Sequence, residues 1–227
     1  MRKVAIFDID GTIFRSSLMV EFIDALIQEG IFPASTRKIY AQEFERWLNR
    51  KDIYQKYIDK VAVAFMITIK GKDFRRCKKV IKQVVAFHKS RVYRYTRDLL
   101  RELKKKNYYL IAISHSYKEI VGEFCRELGF DQFYGRLFAI GKNGKFTGQT
   151  IDSDMIDHKD RMLKYLVKKF NLSLKGSIGV GDTEGDVPVL KLVDKPICFN
   201  PNKKLFTYAR RHGWAIVVER KDVIYNF

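Results

Sequence analysis

The stretch VAIFDIDGTIF, residues 4–14, sets two carboxylates, Asp8 and Asp10, directly behind an apolar tetrad and ahead of Gly11. Apolar side chains at four consecutive positions, Val4 to Phe7, suit a strand covered on both faces, as in a parallel sheet flanked by helices. A carboxylate at the end of such a strand is costly unless something compensates it. Residues i and i+2 of an extended segment point the same way, so Asp8 and Asp10 share a site. Two like charges there require a cation or a proton between them.

The rest of the chain supplies the other layers. From about Ser16 to Arg94 the apolar spacing is helical. SSLMVEFIDALIQEG begins with cap-type serines and ends at Gly30. Ile39, Tyr40, Phe44, Trp47 and Leu48 recur at helical spacing, as do Ile53, Tyr54, Tyr57, Ile58, Val61 and Phe65, then Phe74, Cys77, Ile81, Val84 and Val85. Interleaved with Lys and Arg, these aromatics suggest a nucleic-acid surface, but their period assigns them to a core. Beyond residue 95 the pattern alternates. A helix near 95–106 precedes the strand YYLIAIS, a helix near 117–128 stops at Gly129, and FAIGKNGKFTG forms a hairpin turning at Asn143-Gly144. A helix near 158–170, the strand SIGVGD, a helix near 186–193, the strand PICF and a last helix-strand pair ending WAIVV complete the series. The expected fold class is α/β: a Rossmann-like, mostly parallel sheet with helices on both faces, and an all-helical cap inserted after the first strand. The expected division is 1–14 with 95–227 as the catalytic core and 15–94 as the cap.

In open α/β sheets ligands bind beyond the carboxyl ends of the strands. Asp8 with Asp10, Ser114 and Asp182 each follow an apolar run there, and Asp186 stands four residues past Asp182 in GVGDTEGD. Carboxylate oxygens around an ion that keeps several waters suit Mg²⁺, the cation missing from the opening motif. A metal ringed by carboxylates invites a phosphorylated substrate, whose remaining charge needs donors. Ser114 ends a strand and Lys159 opens a helix, where free N–H groups favour anions. Lys142 and Lys145 compete for that role but sit at the hairpin tip, and His115 and His158 read as edge or surface residues.

Charge bounds the partners. The chain carries +18, and residues 15–95 hold 18 basic against 8 acidic side chains. That surplus suits an anionic partner: a phosphorylated metabolite, nucleic acid or anionic lipid. No apolar run reaches the roughly 18 residues of a membrane span, and the stretch behind Arg2 and Lys3 is too short for a secretory signal. Cys77, Cys125 and Cys198 are odd in number and lack metal spacing, so they read as reduced thiols of a cytoplasmic protein.

At these residues the sequence resembles the haloacid dehalogenase superfamily of phosphatases. DIDGT is similar to its first motif, LIAIS to its second, Lys159 to its third and GDTEGDVPVL to its fourth, in order along essentially the whole chain. The insertion after the first motif resembles a type I cap, and the hairpin and GDTEGD form are most similar to the branch that includes phosphoserine phosphatase. The resemblance implies a phosphomonoester hydrolase in which Asp8 attacks phosphorus to form an aspartyl-phosphate. Asp10 would serve as general acid and then general base. Mg²⁺ would sit on Asp8, the Asp10 carbonyl and Asp182, with Asp186 assisting directly or through water, and Ser114 and Lys159 would hold the phosphoryl oxygens. One departure stands out: Ser17 occupies the position where phosphoserine phosphatases place a substrate-reading glutamate, and Glu21 lies a helical turn further on. A small phosphorylated metabolite is therefore expected, with phosphoserine disfavoured. A phosphotransferase or phosphomutase would use the same core, and a nucleic-acid or anionic-lipid binding protein would use the basic cap.

Overall fold

The computed structural model describes residues 1–151 and 153–227. Along the chain, β1 (Lys3–Phe7) leads into α1 (Leu18–Gln28), α2 (Ala41–Leu48), α3 (Tyr54–Ile69) and α4 (Phe74–His88). The alternating part follows: α5 (Arg94–Lys105), β2 (Tyr109–Tyr117), α6 (Lys118–Leu128), β3 (Gln132–Ile140), β4 (Phe146–Ile151), α7 (Ser153–Asp157) and α8 (Lys159–Lys169). It ends with β5 (Ser173–Gly181), α9 (Val187–Leu190), β6 (Lys195–Phe199), α10 (Lys203–His212), β7 (Ala215–Arg220) and β8 (Val223–Asn226).

The strands form one sheet in the order β4-β3-β2-β1-β5-β6-β7-β8. Pairing is parallel from β3 to β7 and antiparallel in the hairpins that finish each edge. β1 shows why its run had to be continuously apolar. Ala5 and Phe7 pack into one core with Leu100 and Leu103 of α5 and Phe124 of α6. Val4 and Ile6 pack into the other, with Leu163 and Leu166 of α8 and Leu205 of α10. Helices thus cover both faces, and the fold is the Rossmann-like arrangement with a helical cap after the first strand.

The cap helices extend the first of these cores. Phe22 of α1, Phe65 of α3 and Ile81 of α4 belong to the same cluster as Phe7. The chain leaves and re-enters the core side by side: Arg15 N donates to Arg91 O and Tyr93 N to Ile13 O. α1 ends as its sequence requires, with Gly30 at φ +66°.

Several elements differ from the expectation. Cys77, Ile81, Val84 and Val85 are core, but α2 buries none of its residues, and Leu48 is 60% exposed. The α2 aromatics pack on each other and on α3 instead, with Trp47 stacked on Tyr57 at 5.8 Å. The hairpin turns at Asn143-Gly144, with Gly144 at φ +73°. Its first strand, however, starts at Gln132 and joins the main sheet beside β2. The helix near 186–193 is a 3-10 turn, Glu184–Asp186, followed by the single turn α9, since Pro188 fits only the first helical turn. β8 (VIYN) is a four-residue, largely exposed edge strand, too short to stand out beyond the WAIVV run.

Candidate active site

The carboxyl ends of β1, β2 and β5 bring the acidic and hydroxyl side chains together. Asp8 N donates to Val180 O at 2.9 Å, locking the end of β1 to β5 and so placing Asp8 near Asp182. Gly11 lets the loop pass beneath Asp182. Its φ is +80°, and a Cβ there would stand 2.3 Å from Asp182 Oδ2. Thr12 Oγ1 donates to Asp182 Oδ1 at 3.3 Å, a role not evident from the sequence.

Asp10 is held on both oxygens. Oδ1 accepts from Leu18 N, the first residue of α1, at 2.5 Å, a capping role that Ser17 does not take with its own side chain. Oδ2 accepts from the hydroxyls of Ser114 at 2.7 Å and Ser116 at 2.8 Å. Ser114 also accepts from Ser116 N and is fully buried, so its hydroxyl is spent on Asp10 rather than presented to a ligand. Ser116 stands on the wall of the adjoining cavity. The two-residue spacing in SHS on an extended strand is the signal that could have singled out Ser116. Burial raises the Asp10 pKa, opposed by the bonds from Ser114, Leu18 N and Ser116.

Lys159, the first residue of α8, points its ammonium between two carboxylates. Nζ donates to Asp8 Oδ1 and Asp186 Oδ1, each at 2.7 Å, and only 4% of the residue is exposed. Burial works against its charge, but Asp186 and Asp8 outweigh that and raise its pKa. Asp186 is consumed on its other oxygen as well, where Asp182 N, Thr183 N and Thr183 Oγ1 all donate to Oδ2. This closes the turn that carries Asp182. Gly181 is required beneath it, because a Cβ would stand 2.5 Å from Asp186 Cβ.

The charges do not balance. Asp8, Asp10, Asp182 and Asp186 share one ammonium. Burial lifts the Asp8 pKa to about 7; Lys159 opposes the rise, and Asp186 and Asp10 add to it. Burial with Asp8 and Asp186 nearby holds Asp182 well above the usual carboxylate range. Among the described residues, no group of three or more His, Cys, Asp or Glu side chains forms a ready-made ion cage. Asp8 Oδ2 and Asp182 Oδ2 nevertheless take no hydrogen-bond donor among those residues. Two oxygen donors in an over-acidic site, open to water and phosphate for the remaining positions, fit Mg²⁺.

A cavity of about 620 Å³ opens onto these groups. Asp8, Asp10, Lys159 and Asp182 line one end, together with Ser17, His115, Ser116 and Arg136, and α3 forms the opposite wall. Glu21 turns away to pair with Arg91 at 2.8 Å and His88 at 3.3 Å. His158 pairs with Asp154 at the surface, and Lys142 and Lys145 line a separate depression at the hairpin tip.

Carboxylates and one lysine at the strand ends of a doubly covered sheet, under a helical cap, define a class of α/β hydrolase. The haloacid dehalogenase-like hydrolase family model matches residues 5–191, and the chain belongs to that family. It is 22% identical over 200 residues to a phosphoserine phosphatase of Methanocaldococcus jannaschii, covering 87% of this chain and 85% of that protein. It is 21% identical over 229 residues to a histidinol-phosphatase of Neisseria meningitidis serogroup C, covering 96% and 99%. Among solved structures, a protein of unknown function from Bordetella pertussis superposes with a TM-score of 0.73 at 16% identity, over 95% of this chain and 98% of that one. A phosphoserine phosphatase carrying a phospho-aspartyl intermediate analogue superposes with a TM-score of 0.64 at 20% identity, over 97% and 95%. At these identities the structural likeness speaks for the fold.

Proposed function

We propose that this hydrolase is a Mg²⁺-dependent phosphatase of small phosphomonoesters, working through an aspartyl-phosphate on Asp8. The observation that carries the reading is the uncompensated charge: four carboxylates around one ammonium, beside a cavity large enough for a metabolite. The names of the relatives, which act on phosphomonoesters, support it.

Asp8, Asp182 and the Asp10 backbone carbonyl would hold Mg²⁺, with Asp186 acting through Lys159 or a water. Bound there, the ion would neutralise phosphate charge so that an anionic nucleophile can approach. Asp8 would attack phosphorus through one carboxylate oxygen while the other stays on the ion. Asp10 gives its proton to the departing alcohol, then takes one from the water that attacks the aspartyl-phosphate, releasing phosphate and restoring Asp8. Lys159 keeps Asp8 aligned and meets a phosphoryl oxygen; Ser116 lines the same end of the cavity. Ser114 reaches the phosphoryl group through Asp10. Residues 15–94 are read as the cap and 1–14 with 95–227 as the catalytic core. Three buried free thiols suit a reducing compartment, so we place the protein in the cytoplasm. Among the described residues, no helix is long and apolar enough to cross a membrane.

Phosphate release from a panel of phosphomonoesters, with Mg²⁺ and with EDTA, beside Asp8→Asn, tests the reading. Turnover that needs Mg²⁺ and disappears in Asp8→Asn is expected. Turnover unaffected by EDTA, or retained by Asp8→Asn, would refute it.

A second surface favours an additional reading. Lys70, Lys72, Arg75, Arg76, Lys142 and Lys145 gather where the start of α4 meets the hairpin, with Phe74 N donating to Gly144 O and Gly71 N to Phe146 O. None of the six is in an ion pair among the described residues. A ridge of unpaired cations suits a nucleic-acid backbone, and its salt dependence is given below.

A further inference from the structure

The basic cap does not turn its charge toward the cavity. The wall that α3 presents there is Tyr54, Ile58, Ala62 and Met66, four residues apart along one helix face, with Gln55, Asp59 and Val63 beside them. Among the described residues, no Lys or Arg of residues 15–94 lines the cavity. The two nearest lysines of α3 are engaged elsewhere, Lys56 with Asp52 at 3.0 Å and Lys60 with Glu43 at 3.9 Å. Met19 of α1 and Phe138 of β3, both buried, add apolar surface. Tyr54 is backed by Trp47 at 5.0 Å, which fixes an aromatic face at the carboxylate end.

Among the described residues, the core side of the cavity adds no unpaired Lys or Arg for a second anionic group. Arg136 reaches the cavity but is bound to Asp157 at 2.5 Å. Asp59 also lines the cavity, held by Gln55 Nε2 at 2.8 Å, and adds an acidic side chain to the α3 wall. Like charge at that place selects against polyanionic substrates, while the apolar ladder selects for hydrocarbon.

We infer that the alcohol half of the substrate is apolar, an aliphatic or aromatic phosphomonoester without a second anionic group, read by Tyr54, Ile58 and Met66. This rests on the phosphatase reading above and narrows it. The basic surplus of the sequence lies on the outer surface, not in the substrate site.

The test compares kcat/KM for ethyl, butyl, hexyl and phenyl phosphate with that for glucose 6-phosphate and 3-phosphoglycerate. Each methylene entering apolar surroundings is worth about three- to fourfold, so hexyl phosphate is expected to exceed ethyl phosphate by about a hundredfold. Met66→Lys is expected to pull that ratio below about tenfold, and Ile58→Ala to lower it without adding charge. A preference for 3-phosphoglycerate or glucose 6-phosphate, or a ratio that neither variant moves, overturns the inference and leaves the phosphatase reading standing. Hydrolysis of no ester at all sinks that reading instead. The inference is then decided by calorimetry with hexylphosphonate and ethylphosphonate, where equal affinities overturn it and tighter binding of hexylphosphonate upholds it.

Discussion

Replacing Asp8 with Asn removes the nucleophile, yet it is expected to stabilise the metal-free protein at neutral pH. The Asp8 pKa lies at about 7 in the folded chain against an ordinary 3.8. Between those values the folded chain holds a proton that the unfolded chain has lost, so stability is greatest at low pH and falls as pH rises to about 7. At about 1.4 kcal/mol per pH unit, the gap amounts to about 4 kcal/mol. Asn carries no such proton. In EDTA, urea unfolding of the two proteins at intervals from pH 4.5 to 8 should therefore give curves that diverge with pH, the variant gaining by up to about 4 kcal/mol. Asp182 owes part of its own rise to Asp8 and shifts with it, so the difference curve reports Asp8 together with the carboxylate it is coupled to. Mg²⁺ at 100 times its Kd should return about 2.7 kcal/mol to the wild type at pH 8 and less to the variant. Parallel curves in EDTA would mean that Lys159 already compensates Asp8 in full, and the argument for a missing cation would fail.

Lys159→Met leaves Asp8 and Asp186 facing each other without their shared ammonium, and should cost about 3–5 kcal/mol at pH 8 and less at pH 5 by urea unfolding. An equal loss at both pH values would contradict it. Gly11→Ala forces a Cβ onto Asp182 Oδ2 in a left-handed backbone costing about 1–2 kcal/mol; weaker Mg²⁺ binding by calorimetry is expected, and unchanged binding would disprove the role given to that approach. For the six unpaired cations at the α4–hairpin junction, binding of a single-stranded oligonucleotide should fall with salt at a log–log slope of about −4. A slope near zero, or one that Lys142→Glu with Lys145→Glu leaves in place, would remove nucleic acid as a partner of this surface.

The sheet was legible because its strands are apolar on both faces. Val4 to Phe7, the YYLIAIS run and SIGVG each have one interpretation, and the polar residues that follow or end them, Asp8 with Asp10, Ser114 and Asp182, fall at one edge of the sheet from the sequence alone. What stayed hidden depends on side-chain direction across long separations. Nothing local says that Ser114 turns inward to Asp10 while Ser116 lines the cavity, or that Asp186 spends both oxygens on Lys159 and its own turn. Charge was the least legible property. A sum over residues 15–95 cannot tell which face of α3 meets the substrate, and that face is apolar although the segment is strongly basic. The start of β3 is half-buried and mixed in composition, and β8 is only four residues long and largely exposed, so neither carries a strand signal of its own.

The bond from Leu18 N to Asp10 Oδ1 joins the first residue of the cap to the acid itself. A helix N-terminus carries partial positive charge, so α1 acts on Asp10 electrostatically as well as through its N–H. The Leu18 N–H bond opposes the rise that burial imposes on the Asp10 pKa. Leu18, Phe22 and Ile23 of the same helix are buried in the core that also holds Phe7, so the packing that seats the cap on the sheet also sets how readily the acid gives up its proton.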